Sequence, residues 1–294
     1  MGFRQLLVGV LGTLLMVLNM LFWVPLLLVV AVVRLAVPIP AFRRLMAPVL
    51  ASIVGAWVTC NSTGMALTQP TRWDVAGFEG LERDGWYMVS CNHQSWVDIV
   101  VLQRLLNGRI PLLKFFLKRE LIWVPLMGLA WWALEFPFMR RHSEAYLRAH
   151  PDMRGRDHEA TRRACAKFAE IPTSVMNFLE GTRFTVDKHA SQNSPYKHLL
   201  KPKAGGMALA LNAMGEKFRA VLDVTIVYPD GIPTLWDLLQ GKVSRITVRA
   251  RLLPIPRELI GADYSGDPAA RVAFQTWVAR IWQEKDDQIG RLLG

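Results

Sequence analysis

Between Arg4 and Arg34 the chain carries no charged residue, and nearly every position is Leu, Val, Met, Phe, Trp or Ala. Written as an α-helix, the run is roughly 43 Å long, more than a hydrocarbon core of ~30 Å requires. A helix so long and so free of charge does not read as the core helix of a soluble body. It also exceeds the apolar core of a secretory leader and lacks a clean small-x-small cleavage site, so it is expected to be retained. Pro25 is expected to kink it. Arg34, Arg43 and Arg44 follow, and then a second apolar stretch, LMAPVLASIVGAWVTC, from Leu45 to Cys60. That stretch is short for a span. Two arrangements fit: a spanning helix followed by an interfacial one, or a two-helix hairpin dipping into one leaflet. By the positive-inside rule the basic cluster after the first helix suggests a body on the cytoplasmic side, and the expected location is a bacterial-type inner membrane. The expected division is 1–65 for the anchoring helices and 66–294 for the body.

The composition agrees with a lipid partner. Hydrophobic residues make up 52% of the chain, and 35 Lys and Arg against 24 Asp and Glu leave a net charge of +11. An oily and basic chain fits an anionic membrane surface better than nucleic acid, for which no zinc-finger spacing or basic recognition helix is present. Cys60, Cys91 and Cys165 show no CxxC spacing, which fits a reducing compartment without a disulfide framework.

From about residue 70 the texture is that of an α/β body. Short apolar runs ending in polar residues, such as GWYMVSC (Gly85 to Cys91) and PTSVMNFLEG (Pro172 to Gly181), read as buried strands. DIVVLQRLLN reads as a helix stopping at Asn107-Gly108. Further strands are expected in IPLLKFFLK, EFPFM, AVLDVTIVYP and KVSRITVRARLL. Helices are expected around Pro125 and Gly128 with an interruption, over 156–170, in AGGMALALNAMG and over 268–292. The alternation predicts an α/β fold: a mostly parallel sheet flanked by helices, joined to the N-terminal membrane-embedded pair. In such folds functional residues gather beyond the carboxyl ends of strands, where both His93 and Glu180 fall.

His93 and Asp98 lie five positions apart in NHQSWVD. On one continuous helix they would point about 140° apart. They meet only if His93 precedes the helix and Asp98 sits in its first turn. Ser95-Trp96-Val97-Asp98 has capping-box spacing with Ser95 as N-cap, so Asp98 can tie down a helix start, orient His93, or do both. A histidine oriented by a carboxylate is the base-and-orienter half of a catalytic triad. No Gly-x-Ser-x-Gly elbow is present, so the nucleophile is expected to be the substrate's own hydroxyl. His-Glu-x-x-His, P-loop and Gly-x-Gly-x-x-Gly motifs are missing too, and neither a metal nor a cofactor is expected.

NFLEGTRFT (Asn177 to Thr185) runs a strand into a turn at Gly181, offering backbone N–H groups, the Thr182 hydroxyl and the Arg183 guanidinium. That set suits a phosphate, with a fork for two oxygens and a glycine for close approach. Glu180 repels phosphate and would instead hold an arginine or bond a substrate hydroxyl. Arg140 and Arg141 in FPFMRR, and Lys201 and Lys203 ahead of a helix start, are supporting cations or solvated loop residues. Trp123, Trp131 and Trp132 either border the lipid interface or fill a core.

His-x4-Asp in NHQSWVD, Phe-x-x-Arg in FMRR and FLEGTR resemble, in order and spacing, the motifs of the glycerophospholipid acyltransferases, over roughly residues 70 to 230. An apolar two-helix element at the N-terminus is also typical of that family. The resemblance implies that His93 is the general base aided by Asp98, and that Glu180, Gly181, Thr182 and Arg183, with Arg141, bind the glycerol phosphate. Arg140 stands where the family usually has an aspartate, and Val224-Thr225 where it usually has Val-Pro. The run FLKRELIWVPLMGLAWWALEFPFMRR is similar to the lysocardiolipin-acylating branch. The expected activity is transfer of a fatty acyl group from acyl-CoA or acyl carrier protein to the free hydroxyl of 1-acyl-sn-glycerol-3-phosphate. Acyl transfer to lysophosphatidylglycerol or lysocardiolipin, hydrolysis of the thioester, and lipid binding without turnover remain alternatives. The expected partners are an anionic membrane, the lysophospholipid and the thioester, and no nucleic acid.

Overall fold

The structure is a computed structural model that describes residues 2–136, 138–139, 171–264 and 266–294. The expected helix over 156–170, together with Arg140, Arg141 and Cys165, lies outside the described residues.

Two long helices open the chain, α1 (Phe3–Ala36) and α2 (Pro40–Thr68). Pro40 begins α2, where its fixed φ suits a first turn and its missing N–H is not needed. Pro25 and Pro48 lie inside the two helices. The second helix extends beyond the apolar stretch that the sequence marks, past Asn61, and that polar residue has a partner. Asn19 of α1 donates to Asn61 Oδ1 at 2.8 Å and to the carbonyl of Trp57 at 3.0 Å, clasping the pair together.

Among the described residues the strands are β1 (Arg72–Ala76), β2 (Tyr87–Cys91), β3 (Leu113–Phe115), β4 (Leu117–Lys118), β5 (Phe138–Met139), β6 (Ser174–Phe178), β7 (Ala220–Val227) and β8 (Arg245–Leu253). Six form one sheet in the order β1-β8-β7-β2-β6-β3, in which every neighbouring pair is parallel except β7 with β8. The fold is thus α/β with a mixed, mostly parallel sheet. Strands β4 and β5 pair separately. The remaining α-helices among the described residues are α3 (Val97–Leu106), α4 (Met127–Ala133), α5 (Val186–Ser191), α6 (Gly205–Met214), α7 (Leu235–Leu239) and α8 (Pro268–Leu293).

Strands β2 and β7 are buried along their whole length, as central strands covered on both faces must be. Alternation sorts their side chains. Met88, Val175 and Val221 pack with α6 and α8 on one face, while Val89, Cys91, Met176, Leu222 and Val224 pack with α3 on the other. Strand β1 escapes the sequence reading because RWDVA lies at the sheet edge and is mostly exposed.

The helical pair lies along this body. Near the start of α1, a Cβ on Gly9 would come within 2.9 Å of Trp236 and Gln240, and one on Gly12 within 3.3 Å of the Leu239 carbonyl. Near its end, Val24, Leu27 and Ala31 share a cluster with Leu50, Ile53 and Val54 of α2 and with Ala130 and Ala133 of α4. The other faces of α1 leave Leu7, Val10, Leu14, Leu18, Val29 and Val32 exposed. Both α1 and α2 are long and apolar enough to cross a membrane. So much contiguous apolar surface suits a membrane.

Candidate active site

The site grows out of the register of β2 and β6. Cys91 pairs with Phe178, so each chain, continued two residues past the sheet, delivers His93 and Glu180 side by side. Glu180 is fully buried, and its two oxygens accept the backbone N–H of His93 at 2.7 Å and of Leu200 at 3.0 Å. Burial pushes its carboxyl up to about 7, against the pull of those two N–H groups. Glu180 was expected to hold an arginine or bond a substrate hydroxyl; the partners seen for its two oxygens are the backbone N–H groups of the His93 loop and the Leu200 loop.

His93 is held at three points besides its neighbour Glu180. Its carbonyl accepts the Phe184 N–H at 2.7 Å. Its ring stacks on Phe178, with centroids 3.9 Å apart and planes 13° from parallel. Its Nδ1 lies 2.8 Å from Asp98 Oδ2. With Nδ1 committed, Nε2 is the nitrogen that can exchange a proton with a substrate.

Asp98 sits in the first turn of α3 and is buried. Besides His93, its Oδ2 accepts the N–H groups of Gln94 at 2.6 Å and Ser95 at 2.8 Å. Its Oδ1 accepts the Tyr228 hydroxyl at 2.6 Å. Burial, and then the nearby Asp98 charge, raise the Tyr228 pKa well above the usual phenol value, which keeps it a neutral donor. The expected N-cap at Ser95 moves to Trp96. Asp98 does reach back to the Ser95 N–H, but the Ser95 hydroxyl takes the Val97 N–H and donates to the Pro233 carbonyl. One carboxylate thus ties down the loop ahead of α3 and orients the histidine.

Asn92 and Tyr228 are contributors that the sequence reading does not single out. Asn92 prolongs the β2–β7 ladder with its side chain, accepting the Ile226 N–H at 2.9 Å and donating to the Ile226 carbonyl at 2.8 Å. Tyr228 follows β7, and its partner Asp98 is 130 residues away in sequence. A clue to the first lies in its position directly before His93. The second offers no local signal.

The turn after Glu180 carries the cations. Gly181 has φ +68°, a left-handed conformation that side chains rarely adopt, and a Cβ there would meet Lys203 Cδ at 3.2 Å. Thr182 Oγ1 accepts from Lys188 Nζ at 2.8 Å, and the same ammonium donates to the Arg183 carbonyl at 3.0 Å. The Arg183 guanidinium stands 5.1 Å from the Trp96 ring centroid, which brings it to the His93 loop. Lys188, not singled out from the sequence, is thus a third cation beside Arg183 and Lys203. Lys201 is exposed, and its backbone N–H donates to Gln192 Oε1 at 3.3 Å. An oriented imidazole beside clustered cations on a glycine turn can deprotonate a hydroxyl while an anionic group is held nearby.

Fold and site together define an α/β protein whose histidine–carboxylate pair and cationic turn stand at the carboxyl ends of adjacent strands, in a body packed against two long apolar helices. Residues 72–229, more than half of the chain, match the model of the Acyltransferase family, and the chain belongs to that family. It is similar to mouse 1-acyl-sn-glycerol-3-phosphate acyltransferase gamma, 28% identical over 212 residues that cover 68% of this chain and 51% of the mouse protein. Human 1-acyl-sn-glycerol-3-phosphate acyltransferase delta is 27% identical over 213 residues, with the same coverage. The chain spans about half the length of these curated relatives. Its fold is similar to the crystal structure of the 1-acyl-sn-glycerophosphate (LPA) acyltransferase PlsC from Thermotoga maritima, with a TM-score of 0.59 and 16% identity over 98% of this chain and 96% of that one.

Proposed function

We propose that this protein moves a fatty acyl group from a thioester, acyl-CoA or acyl carrier protein, to the free hydroxyl of 1-acyl-sn-glycerol-3-phosphate, giving phosphatidic acid. The carrying observation is the 2.8 Å contact between His93 Nδ1 and Asp98 Oδ2 beside the Gly181–Arg183 turn. Nε2 takes the proton of the acceptor hydroxyl as its oxygen attacks the thioester carbonyl carbon. Collapse of the tetrahedral adduct breaks the carbon–sulfur bond, and the departing thiolate recovers the proton from the imidazolium. Asp98 stabilises that imidazolium and fixes its tautomer. Arg183, Lys188 and Lys203 hold the phosphate, so the hydroxyl arrives already oriented, a contribution of the proximity kind. The steps as written need no cofactor.

The helical pair belongs in one leaflet in this reading. The body touches α1 at Gly9 and again at Ala31, about 33 Å apart along the helix axis. A helix crossing the bilayer would drag the body through the hydrocarbon, whereas a helix lying in the interface keeps it beside the lipid. The basic Arg34, Arg43 and Arg44 support a cytoplasm-facing leaflet, in a bacterial-type inner membrane, as the seat of the pair. The names of the relatives support the choice of acceptor.

The test is incubation of the full chain with labelled acyl-CoA, or acyl carrier protein, and the lysophospholipid. Labelled phosphatidic acid is the expected product. Free fatty acid, acylation of lysophosphatidylglycerol in preference, or no turnover would each contradict the proposal.

A further inference from the structure

We infer that the segment Arg119–Leu134 is a third membrane contact, seated in the headgroup–acyl boundary beside the helical pair. It consists of a 3₁₀ turn (Arg119–Trp123) followed by α4. One side of α4 is spoken for: Ala130 and Ala133 are buried against Val24, Leu27 and Ala31 of α1. The other side is bare. Trp123 is 84% exposed, Leu129 51% and Trp132 49%. Large apolar side chains set on a short helix that itself lies on a lipid-facing helix continue the same surface, and tryptophan favours the depth where lipid meets water. Lys118 and Arg119, both exposed, flank the patch and suit anionic headgroups.

The presentation is built into the backbone. Leu126 and Glu135, on either side of α4, have φ of 61° and 58°, left-handed values that cost energy for non-glycine residues. Gly128 packs so tightly on the Ile122 carbonyl that a Cβ there would collide with it. Glu135 is tied to Arg34 at the end of α1 by an ion pair of 3.3 Å. Packing on α1 and the Arg34–Glu135 tether offset the strain at both ends and hold a seven-residue helix that its own length would not stabilise. What that arrangement secures is the outward aim of Trp123, Leu129 and Trp132.

The contact leads inward. Phe136, buried in the same cluster as α4, stacks with Phe115 at 6.5 Å, Phe115 with Phe178 at 6.2 Å, and Phe178 with His93 at 3.9 Å. A contact at this segment fixes the height of the His93 end of the sheet above the lipid. The inference rests on the membrane location of the helical pair and not on acyl transfer, so its test reads position and not turnover.

Leu129→Cys in a Cys60→Ser, Cys165→Ser background carries an environment-sensitive NBD label, with Trp123→Cys as a second position. Cys91 is fully buried and stays unlabelled. Val272→Cys is the control: it is equally bare, at 62% exposure, but lies on α8, which covers the opposite face of the sheet. The full chain is placed in vesicles of phosphatidylcholine and phosphatidylglycerol containing lipids spin-labelled near the headgroup end of the acyl chain. Seating at ~5–10 Å depth predicts blue-shifted emission that these lipids quench by half or more at 129 and 123, with no change at 272. Emission at 129 and 123 as water-exposed as at 272 would overturn the inference. So would a blue shift without lipid quenching, which would mean that protein, from this chain or a second copy, covers the patch.

Discussion

The Tyr228 hydroxyl donates to Asp98 Oδ1 at 2.6 Å while Asp98 Oδ2 faces His93 Nδ1 at 2.8 Å, so a residue just beyond β7 steadies the carboxylate that orients the candidate base just beyond β2. The two oxygens of one side chain join loops that follow neighbouring strands, and the imidazole inherits its position from both.

Tyr228→Phe removes that donor without changing the shape of the ring. A hydrogen bond to a charged group is worth ~1.5–3 kcal/mol, so a fall in kcat of roughly 10-fold or more is expected, with little change in the acceptor KM. Steady-state kinetics on vesicle-presented acceptor checks this. An unchanged kcat would remove Tyr228 from the orienting chain.

Glu180 makes a prediction about stability and pH. Its carboxyl rises on folding from an ordinary value of 4.5 to about 7, so the folded state holds the proton more tightly than the unfolded one. The resulting contribution to stability is fully present below 4.5 and is lost as pH rises through about 7, a swing of roughly 3 kcal/mol. Glu180→Gln has no such titration, and its amide can accept only one of the two N–H groups that the carboxylate accepts. The stability of the parent chain relative to Glu180→Gln should therefore fall between pH 4.5 and 7, measured by denaturant unfolding in one detergent at each pH. Parallel curves would contradict the burial argument.

Arg183→Lys keeps the charge but loses the planar fork and the stack on Trp96. The acceptor KM should rise several-fold with a smaller change in kcat. The same measurement on Lys188→Met should also raise KM, because that ammonium reaches both Thr182 and the Arg183 carbonyl. Acceptor KM values that stay at the parent level in both variants would take the phosphate away from this turn.

Residue chemistry made much of this arrangement legible before the fold was known. The buried strands around Val89 and Met176 and the helix from Val97 declare themselves by apolar runs and their boundaries, and the ends of those strands carry the histidine and the glycine turn. Direction is another matter. Glu180 has the same side chain whether it faces a substrate or two backbone N–H groups, and only the register of β2 against β6 decides between them. Tyr228 and Lys188 became visible through contacts made in space, the first across 130 residues and the second on a helix too short to show a period. Strand β1 was missed because an exposed edge strand has no apolar run to announce it.

The central claim is that His93, oriented by Asp98, takes the proton from the acceptor hydroxyl. The most direct measurement is turnover by His93→Ala with acyl-CoA and 1-acyl-sn-glycerol-3-phosphate, in a preparation whose circular dichroism matches the parent. A loss of about 10²–10⁴-fold in kcat is predicted, the usual worth of a positioned base. A folded variant that keeps a rate near that of the parent would contradict the account.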